Sequence, residues 1–223
     1  MTPRSRSHFD RSAVSSRRVW LRRSQALGLA LLCSVALTAC NDTVSVRAGA
    51  TPAFRGVDIT GAEYARTLSL TDQHGQPRTL ADFKGKVTLV FFGFTQCPDV
   101  CPSTMAELAQ IRVKLGADGN RVQGVFVTLD PERDTPELLQ AYMSGFDPSF
   151  IALRGTLEQT AAAAKEFKVF YAKVPGKSPG SYSLDHTAGS YVFDTHGKVR
   201  LFVRYGSGPE ALTADLKVLL AGG

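Results

Sequence analysis

The sequence predicts one α/β domain, a mixed sheet flanked by helices with a hairpin at its N-terminal side. Three observations lead there. Lys86-Val87-Thr88-Leu89-Val90-Phe91-Phe92 is a near-continuous β-branched and aromatic run, the pattern of a strand buried on both faces. Directly after it, behind Pro102, the apolar residues Met105, Leu108, Ile111, Val113 and Leu115 recur at roughly helical spacing. Apolar run and helical pattern then alternate again toward the C-terminus, and a chain of 223 residues with 43% apolar content can bury one sizeable core.

In chain order, residues 1–39 read as a leader. Arg17, Arg18, Arg22 and Arg23 precede an uncharged stretch from Ala26 to Ala39 that ends in small residues, the pattern of a signal peptide. That stretch of about 14 residues falls short of the ~20 that a membrane-spanning helix needs. Leu37-Thr38-Ala39-Cys40 resembles the lipobox of bacterial lipoproteins, which makes Cys40 the expected mature N-terminus and lipid anchor on a membrane facing the periplasm. Ser16-Arg17-Arg18-Val19-Trp20-Leu21 is similar to a twin-arginine signal, so two export routes stay open. Residues 40–66, without a sustained period and holding Ala, Gly, Thr and Pro, are expected to be a lipidated N-terminus and linker. The folded domain is expected over residues 67–223.

Within it, Leu68-Ser69-Leu70 and Thr79-Leu80 flank a polar turn with Gly75, a short hairpin. The buried strand at 86–92 and a helix from Pro102 to Leu115 follow, with Gly116 as its stop. Val122 to Leu129 reads as a second strand, Thr135 to Ser144 as a helix opened by Pro136, and Phe150 to Leu153 as a short third strand. An Ala-rich helix from Leu157 to about Phe167, a hairpin from Gly189 to Arg204 turning at His196-Gly197, and a helix from Pro209 to Leu220 complete the chain. The order β-α-β-α-β-α-β-β-α is a thioredoxin-like layout.

Charge narrows the function. The formal net charge is +6, yet residues 1–39 hold seven Arg and one Asp, which leaves 19 basic and 19 acidic side chains beyond them. A folded part of about zero net charge lacks the basic surplus that nucleic-acid binding requires.

Of four cysteines, Cys33 leaves with the leader and Cys40 carries lipid, so Cys97 and Cys101 remain. Two thiols four residues apart close almost no loop, which favours a chemical role over a staple. They lie where the buried strand delivers the chain to a helix N-terminus, and Pro102 biases Cys101 toward the N-cap. Unpaired N–H groups and the helix dipole favour thiolate there. Two chemistries are open: dithiol–disulfide exchange, or coordination of a soft metal ion. A thiol peroxidase fits poorly, because Pro98 and Cys101 do not match a Thr-x-x-Cys setting. The three-residue spacing leans to metal, and His186, just ahead of the strand at 189, is the candidate third ligand. In thioredoxin-like folds the chain there passes beside the dithiol loop and usually carries a proline, which Leu184-Asp185-His186 replaces. Two thiolates and an imidazole suit Cu(I), and an added oxygen would admit Cu(II). Asp185 either orients His186 through its ring N–H, meets a partner, or only shapes a turn. The charged stretch Asp130-Pro131-Glu132-Arg133-Asp134 either faces the site or is a solvated loop before the helix at Thr135. His74 and His196 sit in turns and read as structural.

Three separated segments carry a resemblance: residues 91–102 (FFGFTQCPDVCP), residues 128–136 (TLDPERDTP) and Asp185-His186-Thr187. Together, from about Val57 to the C-terminus, they make the chain similar to the Sco/SenC family of copper chaperones. The resemblance implies a thioredoxin-like fold and one copper ion, Cu(I) or Cu(II), held by Cys97, Cys101 and His186. It also implies partnership with cytochrome c oxidase subunit II, whose dinuclear copper centre it helps to build, and with other copper chaperones. A lipobox stands where many members have a transmembrane helix. Tasks within the family differ: copper delivery, reduction of the oxidase cysteines, or redox sensing, the middle one using Cys97 and Cys101 as a redox disulfide. A monomeric metal-binding protein rather than an enzyme is the expectation.

Overall fold

A computed structural model describes residues 54–222. The leader and Cys40 lie outside the described residues. In chain order the strands are β1 (Val57–Asp58), β2 (Ser69–Asp72), β3 (Pro77–Thr79), β4 (Val87–Gly93), β5 (Val122–Thr128), β6 (Ile151–Arg154), β7 (Tyr171–Pro175), β8 (Tyr182–His186), β9 (Gly189–Phe193) and β10 (Val199–Arg204). The helices are α1 (Val100–Lys114), α2 (Pro136–Ser144), α3 (Leu157–Glu166) and α4 (Pro209–Leu220). Short 3-10 turns cover Leu80–Phe83 and Gly116–Arg121.

Eight strands form one mixed sheet in the order β1-β10-β9-β4-β5-β6-β2-β3. Every residue of β4 and β5 is buried, as their near-continuous apolar sequences require of strands covered on both faces. The two run parallel in a register from Val87↔Val122 to Gly93↔Thr128. Both chains therefore leave the sheet at the same end, carrying the Cys97 loop and the 129–135 loop side by side. On the other flank of β4, antiparallel β9 pairs Phe91 with Ser190, which returns the residues just before β9 to that end. Helix-cap chemistry sets α2 and α3: Thr135 and Thr156 each accept a backbone N–H at the third helical residue, Leu138 and Gln159.

Most elements match the expected order, and three differ. Residues 54–66, expected as linker, belong to the fold. β1 pairs antiparallel with β10, Ala65 is fully buried, and the backbone N–H groups of Arg55 and Gly56 both donate to the buried Asp215 carboxylate at 2.8 Å. A two-residue strand with both side chains exposed has no hydrophobic period to announce it. Second, β7 and β8 form a separate two-stranded hairpin that ends at His186, where a loop was expected. Third, α1 begins at Val100 with Asp99 as N-cap, so Cys101, expected as N-cap, is the second helical residue. Pro102 is then the third, still within the first turn, where N–H groups lack an intrahelical acceptor and proline removes nothing. Among the described residues no helix is long and apolar enough to cross a membrane.

Candidate metal centre

The loop after β4, the first turn of α1 and the end of β8 bring three donors together. Cys97 Sγ, Cys101 Sγ and a ring nitrogen of His186 all lie within 4.8 Å of one another. Cys101 Sγ is 3.5 Å from His186 Nε2, closer than two metal–ligand bonds of about 2.0–2.3 Å laid end to end, so one ion can touch both. The Cys101 backbone N–H, an orphan donor of the first helical turn, points at Cys97 Sγ at 3.4 Å. Both cysteines are free thiols. Gly93 leaves the room: a Cβ there would stand 2.8 Å from both Cys101 Sγ and the Phe91 ring.

His186 is presented in the ligating tautomer. Its Nδ1 faces the Thr187 carbonyl oxygen at 3.1 Å; a carbonyl only accepts, so the proton sits on Nδ1 and Nε2 turns its lone pair toward the sulfurs. Phe91 and Phe94 meet the imidazole edge-on, with ring centroids 6.0 and 5.9 Å away. Burial pushes the His186 pKa down, against the Thr187 hydrogen bond and the Asp185 charge, and so favours the neutral form a metal needs. Asp185 itself is exposed, and of its alternatives the orienting of the His186 ring falls instead to the Thr187 carbonyl oxygen, which accepts the Nδ1–H.

The expected thiolate bias at the helix N-terminus does not hold for Cys101. Desolvation by burial, followed by the hydrogen bond with Cys97, raises its pKa against a backbone hydrogen bond at Phe94. Cys101 is thus a thiol until a cation displaces its proton. Asp134 lies close enough for its charge to add to that rise. It is fully buried, accepts hydrogen bonds from the Thr95 N–H, the Thr95 hydroxyl and the Thr128 hydroxyl, and is held toward protonation by burial. The 130–134 stretch is therefore no solvated loop: Asp130 and Asp134 are buried behind the site. His74 and His196 remain in turns away from it, their backbone N–H groups bonded to Asp72 and Asp194. Phe91, Phe94 and Thr187 are contributors to which sequence reasoning gave no role, and Arg133 was weighed there only as part of the 130–134 stretch. The aromatics read only as core, and a backbone carbonyl leaves no signal in sequence.

The SCO1/SenC family model matches residues 57–221. The chain belongs to that family. A SCO2-like protein of Rickettsia felis is 38% identical over 151 residues, covering 67% of this chain and 74% of its own. Among solved structures, copper-bound ScoI of Bradyrhizobium japonicum is 40% identical with a TM-score of 0.63, covering 69% of this chain and 97% of that one. A SCO1/SenC family lipoprotein from Bacillus anthracis is 28% identical with a TM-score of 0.59, covering 71% and 98%. This SCO1/SenC chain has the thioredoxin-like fold of its neighbours, and its Cys97, Cys101 and His186 are grouped closely enough to hold one metal ion.

Proposed function

We propose that this protein is a copper chaperone that loads one copper ion at Cys97, Cys101 and His186 and passes it toward the dinuclear copper centre of cytochrome c oxidase subunit II. The observation that carries this reading is the convergence of two sulfurs and one correctly protonated imidazole from three separate segments. A soft two-thiolate, one-imidazole set prefers Cu(I). The chain's own residues do the rest. Thr187 fixes the ring tautomer, the Phe91 and Phe94 rings hold the imidazole upright, and Cys101, protonated when empty, releases a proton as copper enters. Other copper chaperones would supply the ion, and the protein would work as a monomer. The lipobox-like Leu37-Thr38-Ala39-Cys40 supports export and a lipid anchor on Cys40 that holds the domain at the periplasmic face of a membrane.

Copper titration of the soluble domain tests the site. One Cu(I) per chain is expected, with binding lost in Cys97→Ser and in Cys101→Ser and weakened in His186→Ala; equal affinity in all three variants would end the assignment. A second reading, a thiol–disulfide reductase, is supported by the two free thiols. In it the dithiol passes two electrons to a partner disulfide and becomes a disulfide itself, a reaction that does not need the imidazole. Cells carrying His186→Ala separate the two: defective oxidase at low copper, partly rescued by added copper, fits delivery, whereas full oxidase activity there with loss in Cys97→Ser fits reduction.

A further inference from the structure

His186 stands on the last residue of the β7–β8 hairpin, which shares no strand pairing with the main sheet. Leu184 anchors the hairpin in the apolar core, and directional contacts are needed beside it to fix the distance the sulfurs require. Apart from contacts of His186 itself, every hydrogen bond and ion pair seen among the described residues between residues 171–186 and the rest of the fold goes to Asp130, Glu132 or Arg133. The Lys173–Glu132 pair is exposed on both sides, 2.5 Å apart, and such pairs contribute little. The other two contacts converge on one residue.

Arg133 donates from Nη1 to the Tyr182 carbonyl oxygen at 2.8 Å and to Gln96 Oε1 at 3.1 Å. Tyr182 opens β8, four residues before His186, and Gln96 immediately precedes Cys97, so one guanidinium touches both ligand-bearing segments. Its Cζ lies 3.6 Å from the Tyr182 ring centroid and 6.0 Å from that of Phe94, the ring that meets His186 edge-on. Buried Asp130 fixes the arrangement from below: its carboxylate accepts from Arg133 Nε and from the Tyr182 hydroxyl, the latter at 2.8 Å. Among the described residues Arg133 Nη2 is buried with no hydrogen-bond partner, so the guanidinium is held by the bonds of its Nε and Nη1.

We propose that Arg133 is a positioning residue for the third metal ligand: a latch that docks the β7–β8 hairpin onto the Cys97 loop and thereby sets how firmly His186 completes the copper site. This rests on the three-ligand reading above. A latched hairpin retains the ion with three ligands, and an unlatched one leaves it on two thiolates for a recipient. Lysine cannot substitute, because a point charge has neither the fork that reaches two acceptors nor the plane that stacks on Tyr182.

The test is a double-mutant cycle read by Cu(I) competition against a chromophoric chelator, with wild type, Arg133→Lys, His186→Ala and the double variant. Arg133→Lys is expected to weaken Cu(I) about tenfold, as loss of a ligand-orienting partner does. It should cost nothing further in the His186→Ala background. In the apo protein, amide hydrogen exchange of residues 171–186 should accelerate while β4 and β5 stay protected, and the nitrogen signature in the Cu(II) EPR spectrum should fade. Wild-type affinity in Arg133→Lys, or an equal loss in both backgrounds, would overturn the latch. If Arg133→Lys does not fold, Tyr182→Phe decides: it keeps the stacked ring and removes only the hydroxyl, and a drop of about threefold that vanishes in His186→Ala is expected, whereas no drop counts against the proposal. Should His186→Ala alone bind Cu(I) like wild type, the three-ligand reading has failed; should it weaken binding while Arg133→Lys does not, only the latch has.

Discussion

Gly93 closes β4 with its Cα beside the place where Cys101 Sγ must sit, and the space is taken: an added methyl would meet that sulfur and the Phe91 ring at 2.8 Å and the Phe126 ring at 3.0 Å. Contacts under 3.0 Å require something to move, and the rigid partner is the aromatic pair, so the sulfur gives way. Gly93→Ala is therefore expected to cost about 1–3 kcal/mol in denaturant unfolding, the usual penalty of overpacking, and to weaken Cu(I) by displacing one of its three donors. Stability and affinity both at wild-type levels would show that the sulfur has freedom the packing denies it. The same crowding explains the Cys101 thiol. Burial that shapes the pocket also raises its pKa, so this one thiol keeps its proton more tightly when empty and would give it up to an entering cation.

At the scale of elements, the β2–β3 hairpin is organised by one carboxylate. Asp72 is buried and accepts from the backbone N–H groups of His74 and Gln76, each at 2.9 Å, and from Arg78 Nε at 2.8 Å. Burial alone would raise its pKa, but the hydrogen bonds from Gln76, Arg78 and His74 together outweigh it and hold the group below the ordinary aspartate value. The folded state thus binds its proton less readily than the unfolded state. The resulting stability is present above the unfolded pKa and is lost as pH falls through the folded one. Asp72→Asn keeps an acceptor oxygen and removes the charge. It should cost about 1–2 kcal/mol at pH 7, and the gap to wild type should narrow as pH falls below the ordinary aspartate value; a gap that keeps its full size far into acid would assign the loss to geometry instead. His74, adjacent to this turn, is structural as its sequence setting implied. Elements with strong apolar content, β4, β5 and the four helices, were legible in sequence to within a few residues. β7 and β8 were not, because Tyr171–Pro175 and Tyr182–His186 are largely exposed and only Leu184 is buried, so no alternation marks them. The ligands were legible because cysteine and histidine carry their chemistry in their identity. Their supports were not: Arg133 reaches the backbone carbonyl of a residue 49 positions away, and Thr187 bonds His186 through its own backbone.

For the whole molecule, the question is where the domain begins. A start at residue 67 was expected because 40–66 shows no sustained period, yet the main sheet ends on β1, which covers the edge of β10 through Val57↔Phe202 and Asp58↔Leu201. Behind it, Asp215 of α4 is buried and its two oxygens are both taken by the N–H groups of Arg55 and Gly56. Ala65 is fully buried, with its N–H on the Glu166 carbonyl oxygen at 2.9 Å, and Glu166 Oε1 accepts from the Arg66 N–H at 2.7 Å. A chain cut at residue 67 therefore bares the β10 edge, orphans a buried carboxylate and uncovers apolar core. Any one of these costs on the order of 1–3 kcal/mol, and together they reach a large fraction of the stability of an ordinary domain. The comparison is thermal and denaturant unfolding of chains 54–223 and 67–223. The longer one is expected to unfold cooperatively and bind one Cu(I); the shorter should lose at least about 3 kcal/mol or fail to fold. Asp215→Ala in the longer chain isolates the carboxylate, since it leaves β1 free to pair while removing the acceptor that pins its approach, and it should recover only part of that loss. Equal stability of the two chains would mean that residues 54–66 lie on the domain without holding it together.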